Sequence, residues 1–516
     1  MAGAFRNMFL EIDKMPVCAP SFTENGAPSH ASSGCARTDL FFKLTRDVTK
    51  NTQFEHWLDA AWNECPLDTM RILFHGRDCR GGKGDRAPFL VAFARIANKH
   101  PKWFLANVHQ VPEYGRWLDL IELIPMLHDV AHKAHIVTLL ADQLRADEAS
   151  VSASKGDSVS LLAKWMPSEK SKWAKATNLI PLVCRDLFPS STFPEKQYRQ
   201  CLTRLRTHID VTEQRMCRNQ EWAAIPFSKV PSVAMSRLRE AFEKHAPEEF
   251  NVWLESVAKG TSKVNASQVY PHDLVRKYLG ARTEPCAVIE EQWKAIVKQT
   301  ASLGLFKDSI VVADVSGSMS GTPMEVSIAL GILIATLTAP PFDGLLITFS
   351  ESPTFFTLAP GLQLYDAVEQ VENMLWGANT DLQKVFNLIL QRAITLDVKA
   401  DSMPKRLYIL SDMQFDSACN SRGDRTNFDA IRAKYATAGY VMPQIVFWNL
   451  RSDCTKDVPV QHDTRGVALL SGYSPAILKS LMTGVEVSPW VIMRAAIDDA
   501  RYTAIAAPLT IDPLSP

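Results

Sequence analysis

Apolar residues fall into two rhythms along the 516-residue chain, and the rhythm changes near residue 305. From about 40 to 300 they recur at intervals of three and four, as the buried stripe of a helix requires. FEHWLDAAW (54–62), PFLVAFARIANKH (88–100), LDLIELIPMLHDVAHKAHIVTLLADQLRAD (118–147) and YRQCLTRLRTHIDVTEQRM (198–216) carry that spacing. Pro66, Gly81, Gly82, Pro112, Gly115, Pro167, Pro181, Pro226 and Pro231 punctuate the pattern into helices of moderate length. CAVIEEQWKAIVKQTASLG (286–304) reads as a connecting helix. Beyond 307, short apolar runs alternate with helical ones, and strands are predicted at 309–315, 344–350, 406–413, 444–450 and 466–472. Such alternation predicts a parallel sheet covered on both faces. Ligands of such a sheet sit at the carboxyl ends of its strands, where strand order reverses.

The expected fold class is therefore multidomain. Residues 1–39 are expected to be a flexible leader, because 15–38 are rich in Pro, Ser, Gly and Ala and lack periodicity. An all-α helical-repeat domain of stacked helix pairs is expected over 40–285, the connecting helix over 286–304, and an α/β doubly wound, Rossmann-like domain over 305–516.

Composition adds three constraints. Apolar content of 46% and charged content of 22% are those of a globular protein. No run approaches the length of a membrane span, and the acids within MAGAFRNMFLEIDKMP interrupt any secretion signal. Ten cysteines without a CxxC pair point to reduced thiols, so a cytoplasmic location without membrane partners is expected. The formal net charge of zero hides an asymmetry: residues 41–300 hold 37 Lys and Arg against 30 Asp and Glu, and 301–516 hold 16 against 22. The first part suits polyanions and the second cations.

VVADVSGSMSG (311–321) delivers Asp314 and two serines, Ser316 and Ser318, at the end of a predicted strand. Thr380 precedes a helix in WGANTDL, and Asp412 ends a later strand in YILSDMQFD. Hydroxyls and carboxylates without His or Cys are hard ligands, suited to Mg2+ or Mn2+. In the basic half, RDCRGGKGDR (77–86) offers Arg77, Arg80, Lys83 and Arg86. It fails the phosphate-loop pattern, which leaves a phosphate contact or an arginine–aspartate tie between helices. Arg116 lies beside Tyr114 and Trp117, and Arg204, Arg206 and Arg215 belong to a basic stretch, so these residues complete a candidate RNA-binding set. His128, His132 and His135 share a helical spacing but lack the acid of an HExxH site.

The Asp314–Ser316–Ser318 spacing, with Thr380 and Asp412, resembles the metal-ion-dependent adhesion site of von Willebrand factor A domains. By that resemblance Ser316, Ser318 and Thr380 ligate directly, and the two aspartates act largely through water. RDCRGGKGDR, LLAKWMPSE (161–169), KVPSVAMSR (229–237), VNASQVYPHDLV (264–275), PMEVSIALG (323–331), WGANTD (376–381), ILSDMQFD (409–416) and VFWNLR (446–451) are similar to the uncharacterised family called domain of unknown function 2828, over roughly 40–510. In layout, helices followed by an A domain look like the Ro-type (TROVE) ribonucleoprotein module. The resemblances imply a non-enzymatic binding protein: a scaffold for noncoding RNA with a Mg2+-dependent A domain. The alternative is an adaptor whose metal takes an Asp or Glu from a protein partner, with no nucleic acid.

Overall fold

The computed structural model describes residues 20–22, 28–153, 159–169, 171, 174, 177–218, 221–266, 268–280, 284–304, 306–348, 352–372, 382–413, 424–453, 457–482 and 487–508. They form two compact units that interleave along the chain. The first comprises 1–76, 80–88 and 264–500; the second comprises 77–79, 89–263 and 501–516.

The first unit is built on a mixed six-stranded sheet. A short pair, β1 (Pro20–Phe22) and β2 (Pro28–His30), precedes it. The strands of the main sheet are β3 (Ser309–Ala313), β4 (Leu345–Thr348), β5 (Phe355–Thr357), β6 (Arg406–Ser411), β7 (Gln444–Asn449) and β8 (Val467–Ser471), in spatial order β5-β4-β3-β6-β7-β8. All neighbours are parallel except β5, which pairs antiparallel with β4 at the edge. The five predicted strands are thus all present, and β5 is an addition. β3 and β4 are buried along their whole length, as strands inside a sheet covered on both faces must be, and β8 is equally buried although it stands at the sheet's edge. After β3 the chain moves to β4 on one side, and β6 later pairs with β3 on the other. The order therefore reverses between β3 and β6, which opens a crevice at their carboxyl ends.

The helix Thr322–Leu337 is apolar almost all round and is buried from Val326 to Ala335. Gly331 allows its close approach to the sheet, because a Cβ there would lie 2.9 Å from Leu346 Cδ2 and 3.3 Å from Ala313 Cβ. It packs directly beneath the strand that ends in Asp314.

The boundaries expected from the sequence are not those of the compact units. Residues 28–39 are no flexible leader. β2 bridges to Val458 through mutual backbone bonds of 2.9 and 2.8 Å with His30, and the helix Ala36–Lys43 is buried from Arg37 onward. Phe42 belongs to the same core as Ile310, Val312, Leu407, Phe447 and Leu469. The helix Ala287–Ala301, expected to be a connector, also belongs to this unit: its buried Glu290 accepts the backbone N–H groups of Leu364 and Tyr365 at 2.7 and 3.1 Å. Burial decides membership here. A helix that must hide nearly every face goes where apolar surface is available, whatever its place in the sequence.

Asp68 shows how tightly the early helices are tied in. It is 5% exposed and accepts Arg37 Nη1 and Arg494 Nη1, each at 2.6 Å. The two guanidinium groups outweigh burial and hold its carboxyl below the ordinary 3.8. The unfolded chain therefore binds the proton first on acidification. The stability this carboxylate contributes is complete above about pH 4 and lost as pH falls through its depressed native value. Urea titrations from pH 5 to pH 2.5 are expected to show a shallower loss for Asp68→Asn than for the wild type; parallel slopes would contradict this.

The second unit has helices and no strand among its described residues, and includes Arg86–Lys99 in part, Pro101–Asn107, Trp117–Leu123, Val130–Ser152, Leu179–Leu187, Pro194–Ile209, Ser232–His245 and Pro247–Ala258. The long helix expected over 118–147 is broken at Pro125, and Asp129 starts the second piece by accepting Ala131 N–H at 2.7 Å. The helix over 198–216 likewise ends at Asp210, which takes a left-handed conformation. No helix among the described residues is long and apolar enough to cross a membrane.

Candidate metal centre

The crevice between β3 and β6 is where the candidate ligands meet. Asp314 follows β3 and hydrogen-bonds through its N–H to Leu410 O of β6 at 3.0 Å. Its side chain is 1% exposed; Oδ1 accepts Ser316 N–H at 2.9 Å and Oδ2 accepts the Ser411 hydroxyl at 2.8 Å. Ser411 Oγ in turn accepts Met413 N–H at 3.1 Å, which orients the hydroxyl. Asp412, the next residue after β6, is also buried. Burial first, and the Asp412 carboxylate second, raise the Asp314 carboxyl to about 6, against the hydrogen bonds from Ser316 and Ser411. Two neighbouring buried carboxylates are a donor set that a divalent cation neutralises.

Ser316 precedes the single turn Gly317–Met319 and Ser318 is its middle residue, and their hydroxyls lie 3.0 Å apart at an exposed position. Met319 anchors the turn by complete burial. Gly321, with φ +89°, lets the chain swing from this turn into the helix that follows. Four of the five predicted metal residues thus share one mouth of the sheet: Asp314, Ser316, Ser318 and Asp412. Thr380 lies outside the described residues. All four donors are hard oxygens, so they fit Mg2+ or Mn2+. No group of three or more His, Cys, Asp and Glu side chains placed to hold an ion occurs among the described residues. The carboxylate pair with two hydroxyls is accordingly a sparse set, one that leaves positions to water or to an added ligand.

Two further residues lie at this mouth, Ser411 and Arg451, and of these the sequence marks only Ser411, as the oxygen beside Asp412 at the end of a strand. Ser411 orients Asp314 through its hydroxyl. Arg451, two residues beyond β7, donates through Nη1 to the carbonyl of Ser318 and pairs with both Asp453 oxygens at 2.6 and 2.9 Å. It belongs to the VFWNLR motif, which marks resemblance but gives no hint of a partner more than a hundred residues away.

The candidate RNA residues are dispersed, and two are corrected outright. Arg77 is 2% exposed and bound to Asp119 at 2.7 Å, an arginine–aspartate tie within the helical unit. Lys83 is fully buried and donates to Phe41 O, to Leu44 O at 2.9 Å and to Ser471 Oγ at 2.6 Å. Burial pulls its ammonium down to about 7, with Asp85 acting in the opposite sense. Neither can reach a polyanion. Arg80 is exposed and Arg86 half-buried. Arg116 lies over the Trp165 ring at 5.4 Å. Arg204 pairs with Glu148, Arg206 caps the carbonyls of Ala163 and Met166 at 2.8 and 2.7 Å, and Arg215 grips Asp210 with two bonds of 2.8 and 2.5 Å. His132 is buried against Phe104 at 5.1 Å and His128 lies before its helix, so the three histidines form no cluster.

Comparison with known proteins places these elements in a family. Residues 308–500, which carry the candidate ligands at the sheet's mouth, match a domain of unknown function, DUF7788. Residues 23–134 and 127–306 match the domain of unknown function DUF2828, a match that begins within the stretch expected to be a leader. Uncharacterized protein L728 of Acanthamoeba polyphaga mimivirus is 36% identical over 499 residues, covering 91% of this chain and 86% of that protein. With more than half its length matched from the first strand pair to the helix before β3, this chain belongs to the DUF2828 family.

Proposed function

We propose that this protein is a non-enzymatic, Mg2+- or Mn2+-dependent binding protein whose C-terminal region works as a von Willebrand factor A-like module. The observation that carries the reading is the gathering of Asp314, Asp412, Ser316 and Ser318 at the strand-order reversal, with buried carboxylates behind two outward hydroxyls. A bound divalent ion supplies positive charge there and open positions for an acidic side chain of a protein partner. The chain's own residues hold the ion's site and orient it: Ser411 and Ser316 fix both Asp314 oxygens, and the turn presents the two hydroxyls. A sparse hard-cation site beside which the described residues place no general base favours capture over hydrolysis.

Between the two partner classes, the protein partner draws the stronger support. Of the eight basic residues considered for RNA, Arg77 and Lys83 are buried, and Arg204, Arg206 and Arg215 are bound to acceptors of their own unit. The scaffold for noncoding RNA therefore rests mainly on layout.

Titration of the full chain with Mn2+, followed by the spectroscopic signal of the unbound ion, tests the site. The wild type is expected to bind and Mg2+ to compete; Asp314→Asn is expected to weaken binding by about tenfold or more, equivalent to about 1.4 kcal/mol. Equal affinity for Asp314→Asn would sink the reading. Partner recovery with and without chelator then separates the classes: nuclease-insensitive proteins lost on chelation support the adaptor, and nuclease-sensitive recovery unaffected by chelation supports RNA.

A further inference from the structure

The metal turn is soft by sequence, since Gly317 and Gly321 flank it and neither would meet a neighbouring atom with an added Cβ. Something must hold the Ser316 and Ser318 hydroxyls in register. Met319 fixes one side chain of the turn, and the Ser318 carbonyl is held from outside by Arg451. We propose that Arg451 is a positioning residue for the metal turn, and that the N-terminal segment 45–51 holds Arg451 in place. The inference rests on the metal reading above.

The support is a continuous set of hydrogen bonds within the sheet unit. Arg451 N–H donates to Asn449 Oδ1 at 3.0 Å, and Asn449 Nδ2 donates to Ser452 Oγ at 2.8 Å. Asn449 and Ser452 are both fully buried. The backbone of Ser452 is gripped on both sides by the N-terminal segment: its N–H donates to Asp47 Oδ1 at 3.2 Å, and its carbonyl accepts Asn51 Nδ2 at 3.0 Å. The turn that carries Arg451 is therefore clamped from 45–51, and the guanidinium is oriented by the paired bonds from Asp453. A planar group held at two points by a carboxylate has one direction left in which to present Nη1, and here that direction leads to Ser318 O.

This arrangement has two chemical consequences. Arg451 meets the turn through a backbone carbonyl, that of Ser318, while Asp453 holds its Nε and Nη2, so its support reaches the turn's backbone rather than the serine hydroxyls. It also makes the metal site a joint product of the two matched regions, since 45–51 lie within the DUF2828 match and 308–500 within the DUF7788 match. Residues that orient ligands from behind commonly matter to metal affinity by about 10–100-fold.

The test uses the full chain and Mn2+ alone as the probe, with the melting temperature of the metal-free protein measured in parallel. Arg451→Gln is expected to bind Mn2+ about tenfold more weakly. Arg451→Lys is expected to recover part of the loss, because an ammonium can still donate to Ser318 O but cannot make the paired contact with Asp453. Asn51→Ala, far from the ion in sequence, is expected to weaken binding in the same direction. Wild-type affinity in Arg451→Gln, or weakening that only tracks a fall in the metal-free melting temperature with no rescue by lysine, would overturn the inference while leaving the metal site standing. A wild type that does not bind Mn2+ would remove the metal reading, and this inference with it.

Discussion

Arg77→Ala is expected to destabilise the helical unit by about 3–5 kcal/mol, the cost of leaving a buried charge without its partner. Asp119 is fully buried, and its Oδ2 receives Arg77 Nε at 2.7 Å together with Arg116 N–H at 3.0 Å. Gly115 makes room for this arrangement: a Cβ there would lie 2.2 Å from Asp119 Oδ2 and 2.9 Å from Arg77 Nε. Any side chain at 115 would therefore displace the pair. Chemical denaturation of Arg77→Ala, Asp119→Ala and the double variant closes a cycle. The double variant is expected to be less damaged than the sum of the singles, because removing both charges removes the uncompensated one. Additive losses would show that the two side chains act separately.

That pair also shows where sequence reading stops. The spacing of RDCRGGKGDR allows a phosphate contact or an internal tie, and local sequence does not decide between them. The decision is made by Asp119, forty-two residues away, for Arg77, and by Ser471 and the end of the helix Ala36–Lys43 for Lys83. What was legible follows from short-range physics. Short apolar runs between helical segments located all five parallel strands, and the carboxylates that end two of those runs placed Asp314 and Asp412 at the reversal point. β5 was missed because it is three residues long and only half-buried, so it carries no apolar run. The N-terminal segment was misread because Pro, Ser and Gly are compatible with an extended strand as well as with disorder, and the partner that settles the matter, Val458, lies far along the chain. The contact of Arg451 with the Ser318 carbonyl was invisible for the same reason, since a carbonyl has no signature in sequence.

Trp448→Ala is expected to cost about 3–5 kcal/mol, and its reach should reveal whether the early helices and the sheet unfold together. Trp448 is fully buried in β7, in register with Leu410 and Leu470, and its indole N–H donates to Gly472 O at 2.7 Å. Gly472 has φ +103°, and a Cβ there would stand 3.4 Å from Lys83 Cβ and 3.3 Å from Ile477 Cδ1. The loop holding Lys83 is thus packed against the turn that Trp448 supports, and Lys83 passes the connection on to the carbonyls of Phe41 and Leu44. A cavity at Trp448 should loosen that whole path. Native-state hydrogen exchange, read on peptides covering 36–44 and 444–449, is expected to show the same loss of protection in both, as one cooperative element requires. Trp448→Phe keeps most of the volume and removes only the donor, so it is expected to cost about 1–3 kcal/mol. If protection falls in 444–449 alone, the helix Ala36–Lys43 is held by contacts of its own, such as Arg37 over the Trp490 ring at 4.7 Å and the Thr38 hydroxyl 3.9 Å from Met493 Sδ, rather than through Lys83. The burial of Phe42 in the sheet core argues against that outcome: a helix that shares its core with β3, β6 and β7 has no separate surface on which to remain folded.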